Sequence, residues 1–322
     1  MHKYPIVSVV LPTYNRYSLA IGAINNIKKQ DYPNIEIIVV EDGSSTKIDE
    51  YINNINCNNL KYLKHNSNRG LSASRNTGIA ASSGEYIAFM DDDDRWHNNK
   101  ISLQMKKLLI DKNRNKLIYC LNCHQNQKFN TSSSQLYYKG KMSKYIYDGG
   151  LLPSSSMIMH RKLINLVGGF SENFRSCIDH DMWMNLAKKG IYMDYVNKPL
   201  VYSIDSKQKR MINDYPNRLM GIHQFFTKWK NDVTDCFGIK SWLNIETKYH
   251  IQTSYSIVKS YRDGNLSITE SLFYIQKLFS LMHWRYYKID IILSKFGLLY
   301  ATFIFNYVPI HRLIYKIKKC YI

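Results

Sequence analysis

The spacing of apolar positions divides this chain into two regimes. Ile6 to Leu11 is a near-continuous apolar run, the pattern of a strand buried on both faces. Ser18 to Gln30 takes helical spacing, with Leu19, Ala23 and Ile27 on one face. Further runs predict a strand over Ile35 to Val40, a helix over Ile48 to Ile55 and a strand over Leu60 to His65. A small-residue helix over Leu71 to Ser82 and a strand over Tyr86 to Met90 follow, and Lys116 to Cys123 reads as a half-buried strand. This βαβαβαβ order predicts a parallel sheet covered by helices. Ligands in such sheets bind beyond the carboxyl ends of the strands. Three strand exits therefore matter: Pro12–Arg16, Glu41–Ser45 and Asp91–Asp94. From about residue 206 helical periodicity takes over and aromatic residues are dense, with helices expected over 217–231, 239–262 and 267–284. The last opens on Ser267-Ile268-Thr269-Glu270, a capping box. The expected domains are 1–205 and 206–322.

Length and composition agree with this division. At roughly 150 residues per domain, 322 residues make about two. A hydrophobic fraction of 45% excludes a disordered basic tail and a collagen-like fibre. No run reaches the ~18 apolar residues of a spanning helix. The formal net charge is +19, and 206–322 holds 18 basic against 7 acidic residues, hence +11 of it. Such a charge calls for an anionic partner: nucleic acid, a membrane surface or a phosphorylated ligand. The start, Met1-His2-Lys3-Tyr4-Pro5, has no signal-peptide pattern, so the chain is expected in the cytoplasm. Six cysteines there do not make a disulfide framework. Cys120-Leu121-Asn122-Cys123-His124 matches a haem-attachment pattern, but that chemistry needs export, and no second cysteine pair stands at zinc-finger spacing.

The chemistry concentrates at the strand exits. Asp91-Asp92-Asp93-Asp94 follows an apolar strand, and four adjacent carboxylates persist only if solvated or neutralised by a cation. Mg²⁺ and similar hard ions take oxygen ligands, commonly one or two carboxylates with substrate phosphates. The plainer alternative is an acidic surface loop. Glu41-Asp42-Gly43-Ser44 places acidic groups where a ribose hydroxyl or a base N–H would lie, although Asp-Gly is also a common turn. Ser72-Ala73-Ser74-Arg75-Asn76-Thr77-Gly78 lets a helix approach a ligand closely, with Arg75 in reach of a phosphate.

In this order and spacing the motifs resemble the family 2 glycosyltransferases, which have the GT-A fold. The resemblance runs through Val7–Arg16, Glu41–Ser44, Arg69–Gly78 and Gly84–Asp94, and covers about residues 5 to 205. Trp96 and Lys100 fit a W-x-P-x-K segment, with Asn98 in place of proline. It implies an α/β fold: a GT-A type, Rossmann-like, mostly parallel sheet flanked by helices, with a helical C-terminal extension. It further implies that Pro12, Thr13, Tyr14, Asn15 and Arg16 line the nucleotide pocket, with Glu41 and Asp42 on the base or ribose and Arg75 along the nucleotide-sugar. Asp93 would be the foremost ligand of Mn²⁺ or Mg²⁺. Asp92 or Asp91 would contact the ribose or the metal shell, the register within the four aspartates remaining open. Gly168-Gly169-Phe170-Ser171-Glu172 resembles the family's G-G-F-D-E. It anchors Asp179 at the position of the catalytic base, with Ile178 in the usual Glu slot and Asp181 as competitor.

The implied activity is metal-dependent, inverting transfer of a sugar from a nucleoside-diphosphate sugar, first of all a UDP-sugar, to a hydroxyl of a glycan or lipid-linked acceptor. Cell-surface polysaccharide, lipopolysaccharide or glycoconjugate synthesis is the expected setting. Phe296 to Ile310 is apolar apart from Asn306 and is followed by basic residues. It is either an interfacial helix on the inner face of the cytoplasmic membrane, against an anionic surface, or a core helix. Alternatives are a catalytically inactive nucleotide-sugar-binding relative and a basic nucleic-acid-binding protein. No recognised nucleic-acid motif appears, so no nucleic-acid partner is expected. The G-x-G-x-x-G of a dehydrogenase is absent, and Pro12-Thr13-Tyr14 stands where a nucleotidyltransferase needs a Gly-rich phosphate loop.

Overall fold

The computed structural model describes residues 4–44, 48–54, 57–110, 115–124, 139–147, 152–204 and 213–281. The segment 296–310 lies outside them. The chain divides into two compact units, Met1–Gln208 and Lys209–Ile322.

In the first unit the order is β1 (Val7–Thr13), α1 (Tyr17–Ile27), β2 (Ile35–Glu41), α2 (Ile48–Asn54), β3 (Leu60–Lys64), α3 (Leu71–Ala81) and β4 (Tyr86–Phe89). There follow β5 (Asp94–Trp96), α4 (Lys100–Ile110), β6 (Lys116–His124), β7 (Gly140–Lys141) and α5 (Met142–Ile146). A 3-10 turn (Ser154–Ser156), β8 (Met157–His160), α6 (Arg161–Leu166), α7 (Ile178–Lys188) and β9 (Tyr192–Ser203) complete it. The strands form one sheet in the order β3-β2-β1-β4-β8-β6-β9-β5, with β7 on β9. β3, β2, β1 and β4 are parallel. Beyond β4 the sheet is mixed: β8 is antiparallel to β4 and β6, and β9 is parallel to β6.

The two-faced burial expected of β1 is met: Val7, Val9 and Leu11 pack with Ala23, Ile24 and Ile27 of α1, while Val10 faces Gly78 of α3. Gly78 is needed there, since a Cβ would lie 2.4 Å from a Val10 methyl. The opposite, amino-terminal edge of the sheet is tied by Glu36. It accepts from the Ser8 hydroxyl at 2.7 Å, from the Ser83 N–H at 2.8 Å, and pairs with Lys61 at 2.6 Å.

The second unit is helical. α8 (Tyr215–Arg262) is interrupted at Gly238, whose φ of 80° and ψ of 165° are not helical. Its two arms match the helices expected over 217–231 and 239–262, and Phe226 of the first meets Trp242 and Tyr249 of the second. α9 (Ile268–Ser280) begins with the expected capping box: Glu270 accepts from the Ser267 N–H at 2.8 Å and donates its own N–H to the Ser267 hydroxyl at 3.2 Å. No helix among the described residues is long and apolar enough to cross a membrane.

Candidate active site

β1 and β4 are neighbours in the sheet, yet β2 and β3 come between them in the chain and lie on the far side of β1. Winding reverses between these two strands, and in open sheets of this kind the region beyond their carboxyl ends is where ligands bind. The exits of β1, β2 and β4 and the start of α3 meet there.

At the β1 exit, Pro12 is buried within the sheet, while Tyr14 is exposed. Asn15 has a φ of 53°, a left-handed conformation that Asn tolerates better than most residues, and its N–H donates to Ser44 of the β2 exit at 2.8 Å. Thr13 donates its hydroxyl to Asp92 at 2.9 Å, and Arg16 donates to the other Asp92 oxygen at 2.9 Å.

At the β2 exit the two acidic residues differ in environment. Glu41 is wholly buried, with its carboxylate engaged by the Tyr62 hydroxyl and by Lys64 at 3.6 Å. It organises the strand end and offers no open carboxylate to a ligand. Asp42 accepts from the backbone N–H groups of Arg69 and Gly70, at 2.9 and 2.8 Å, and bonds His65 at 2.7 Å. His65 in turn reaches Thr77 of α3 at 3.0 Å. Asp42 thus fixes the loop that leads into α3.

The four aspartates separate into two kinds. Asp92 and Asp94 are buried, and Asp94 belongs to β5 and accepts from the Ser203 hydroxyl. The side chains of Asp91 and Asp93 keep 33% and 16% of their surface. A uniformly solvated acidic loop is therefore not what forms. Desolvation raises Asp92 to about 6 against the pull of Arg16 and Thr13. Desolvation and the Asp91 charge raise Asp94 to about 7. Burial also raises Asp91, Arg75 opposing and Asp179 and Asp93 adding to the rise. Negative charge in this cluster is only partly compensated, which favours a bound cation.

Arg75 of α3 lies behind these carboxylates. Its guanidinium is wholly buried, donates to Asp91 at 2.9 Å and to Asp179, and sits 5.0 Å from the Phe170 ring centroid and 5.8 Å from that of Phe89. Burial lowers its pKa, but Asp179 and Asp91 outweigh that and hold it charged. Asp179 stands in the first turn of α7, 34% exposed, after Cys177 in a left-handed conformation. Its competitor Asp181 is buried beside Asn185. Motif order predicts Asp91, Asp92, Asp93, Arg75 and Asp179 separately; the fold brings them together around two arginines.

Among the described residues no three His, Cys, Asp or Glu side chains are grouped to hold a metal ion by themselves. A hard divalent ion that takes one or two carboxylates and completes its shell with phosphates does not need three. Asp91 and Asp93, whose side chains keep more surface than that of Asp92, fit that requirement; Asp92, committed to Thr13 and Arg16, does not. His65, Asn76 and Thr77 escaped the sequence reading as site residues. For His65 there was a signal: it stands at a fourth strand exit, that of β3. Cys120 and Cys123 of the haem-like pattern are buried free thiols on β6.

Residues 8–165 match the model of glycosyl transferase family 2. An uncharacterized glycosyltransferase of Rickettsia felis is 32% identical over 197 residues, covering 57% of this chain and 30% of that protein. The GalNAc(5)-diNAcBac-PP-undecaprenol beta-1,3-glucosyltransferase of Campylobacter jejuni is 37% identical over 106 residues, covering 32% of this chain and 34% of that protein. The chain spans less than two thirds of the length of the curated relatives it matches, from 27% to 62%. Among solved structures, S. aureus TarS in complex with UDP-GlcNAc superposes with a TM-score of 0.60 at 20% identity, covering 87% of this chain and 82% of that one. A mannosyltransferase of Pyrobaculum calidifontis in complex with GDP-Man and Mn²⁺ gives 0.58 at 16% identity, covering 95% and 88%. The domain that holds this site, on a GT-A fold, therefore belongs to glycosyl transferase family 2.

Proposed function

We propose that the chain is an inverting, metal-dependent glycosyltransferase, with a catalytic domain over 1–205 and a helical appendage over 206–322. Its donor is a nucleoside-diphosphate sugar, and its acceptor is a hydroxyl of a glycan or lipid-linked saccharide. One observation carries this reading: Arg75 holds Asp91 of the β4 exit and Asp179 of α7 on either side of one guanidinium, at the switch point of the sheet. UDP-GlcNAc and GDP-Man in the structural relatives support the donor class, and the PP-undecaprenol in the Campylobacter protein's name supports a lipid-linked acceptor. The basic excess of 206–322 suits an anionic membrane face presenting such an acceptor.

Asp91 and Asp93 would hold Mn²⁺ or Mg²⁺, which supplies a Lewis acid for the departing diphosphate. Tyr14, Asn15 and Arg16 line the nucleotide side of the crevice. Asp42 shapes it through the 69–70 backbone. Asp179 accepts the proton of the acceptor hydroxyl as that oxygen attacks C1 from the face opposite the diphosphate. One such displacement inverts the anomeric centre. A carboxylate is a weak base towards an alcohol, so fixed positioning supplies much of the rate.

A thermal-shift screen of UDP-, GDP- and dTDP-sugars with Mn²⁺ identifies the donor, which should raise the melting temperature by several degrees. Asp179→Asn should keep that shift and lose transfer by a factor of about 10³ or more. Wild-type turnover in Asp179→Asn would remove the base assignment.

A further inference from the structure

We propose that Asn76 is a positioning residue for the reaction, locking the Gly168–Glu172 turn so that Arg75 and Asp179 are held in register. The proposal rests on the reading of Asp179 as the base. Asn76 follows Arg75 on α3 and points to a different part of the same segment. Its amide clasps one residue from both sides: the Phe170 N–H donates to Asn76 Oδ1 at 2.9 Å, and Asn76 Nδ2 donates to the Phe170 carbonyl at 2.8 Å. The same Nδ2 also donates to Glu172 at 3.0 Å. A side chain that mimics a peptide group on both edges fixes the backbone it holds in position and in orientation.

The turn is built for this clasp. Gly168 and Gly169 have φ of 77° and 79°, and a Cβ on Gly169 would lie 2.7 Å from Asn76 Oδ1. Phe170, once held, is buried with its ring against Phe89 at 5.2 Å and over the Arg75 guanidinium at 5.0 Å. Arg75 is thereby enclosed between two rings and has little freedom except to bridge Asp91 and Asp179. Asn76 touches neither carboxylate. It acts through Phe170 on Arg75, and it fixes the chain nine residues before Asp179.

Full-length protein is assayed for release of UDP from UDP-GlcNAc and of GDP from GDP-mannose to water with Mn²⁺, on whichever donor the wild type hydrolyses. Asn76→Ala should lower kcat about tenfold or more while KM and the affinity for UDP stay within about twofold. Asn76→Asp loses both donated bonds and faces Glu172 with like charge, so it should also lose kcat. Adding Glu172→Gln restores a donor–acceptor pair with the roles exchanged and should recover part of the loss. Hydrogen exchange of residues 168–181, read with UDP and Mn²⁺ bound, should accelerate in both single variants. Wild-type kcat in Asn76→Ala, equal losses in kcat and UDP affinity, or unchanged exchange over 168–181 would each overturn the proposal. If Asn76→Ala does not fold, the double variant decides: folded and without recovery, it refutes the role. Asp179→Asn is run alongside. Full activity there defeats the base reading itself, whereas a dead Asp179→Asn beside a fully active Asn76→Ala defeats only the positioning role.

Discussion

Asp92 spends both carboxylate oxygens on Thr13 and Arg16, at 2.9 Å each, whereas Asp93 meets Arg16 at 3.5 Å and is the more exposed of the two. Adjacent residues thus receive different work. Asp92 ties the β1 exit to the β4 exit; Asp93, beside it, is a proposed metal ligand. A titration of UDP with and without Mn²⁺ separates them. Asp93→Asn should lose the Mn²⁺-dependent gain in affinity, by about tenfold or more. Asp92→Asn should keep that gain while binding UDP more weakly in both conditions, because one amide oxygen cannot serve both Thr13 and Arg16 and the amide NH2 faces the other donor. The reverse outcome would move the metal register by one residue. Sequence order alone left this register open, because the two arginines that distinguish the aspartates stand 76 and 16 residues from their partners.

At the scale of elements, the sheet is held at both ends by buried carboxylates. At the end away from the site, Glu36 joins β1, β2, β3 and the turn into β4. Desolvation raises its pKa, but Lys61, Ser8 and Ser83 outweigh that and hold it at about 2, against an ordinary 4.5. A carboxylate depressed in this way stabilises the fold fully above pH 4.5, and the contribution is lost as pH falls from about 4.5 through about 2. Glu36→Gln should therefore cost about 1–3 kcal/mol in urea unfolding at pH 7 and less at pH 3. An equal loss at both values would mean that the carboxylate's charge is not what matters. The elements most legible in the sequence were those with a clean period: β1, β2, β4, α1 and α3, and the two arms of α8. β9 was not legible, because Asp194 and the Asn197-Lys198-Pro199 stretch break its alternation, and its pairing with β6 shifts register between Cys120 and Asn122. β5 was hidden for another reason. Three residues carry no period, and this strand exists because β9 offers it an edge. The strand exits were readable as candidate sites since that rule needs only strands and their order. The clasp of Asn76 on Phe170 was not, since it joins residues 94 apart through geometry that no local pattern records.

At the scale of the whole molecule, each compact unit has its own buried cluster. Val7, Leu11, Ile37, Val39, Ala88 and Ile158 belong to one core in the first, and Tyr215, Ile257 and Ile275 form another in the second. All proposed nucleotide and metal contacts belong to the first, while of the charge residues 1–205 carry +8 and 206–322 carry +11. Two compact units need not melt together. A ligand that binds only the folded form of one stabilises that one alone, by about 2.7 kcal/mol at a hundredfold excess over Kd. Differential scanning calorimetry of the full chain should accordingly resolve two transitions. UDP with Mn²⁺ should raise one of them and leave the other in place, and Asp93→Asn should diminish the rise. A single transition that moves as a whole would show that the helical appendage and the catalytic domain are energetically one body. The basic 206–322 region would then have to be counted as part of the nucleotide-binding structure and not as a separate surface for the acceptor.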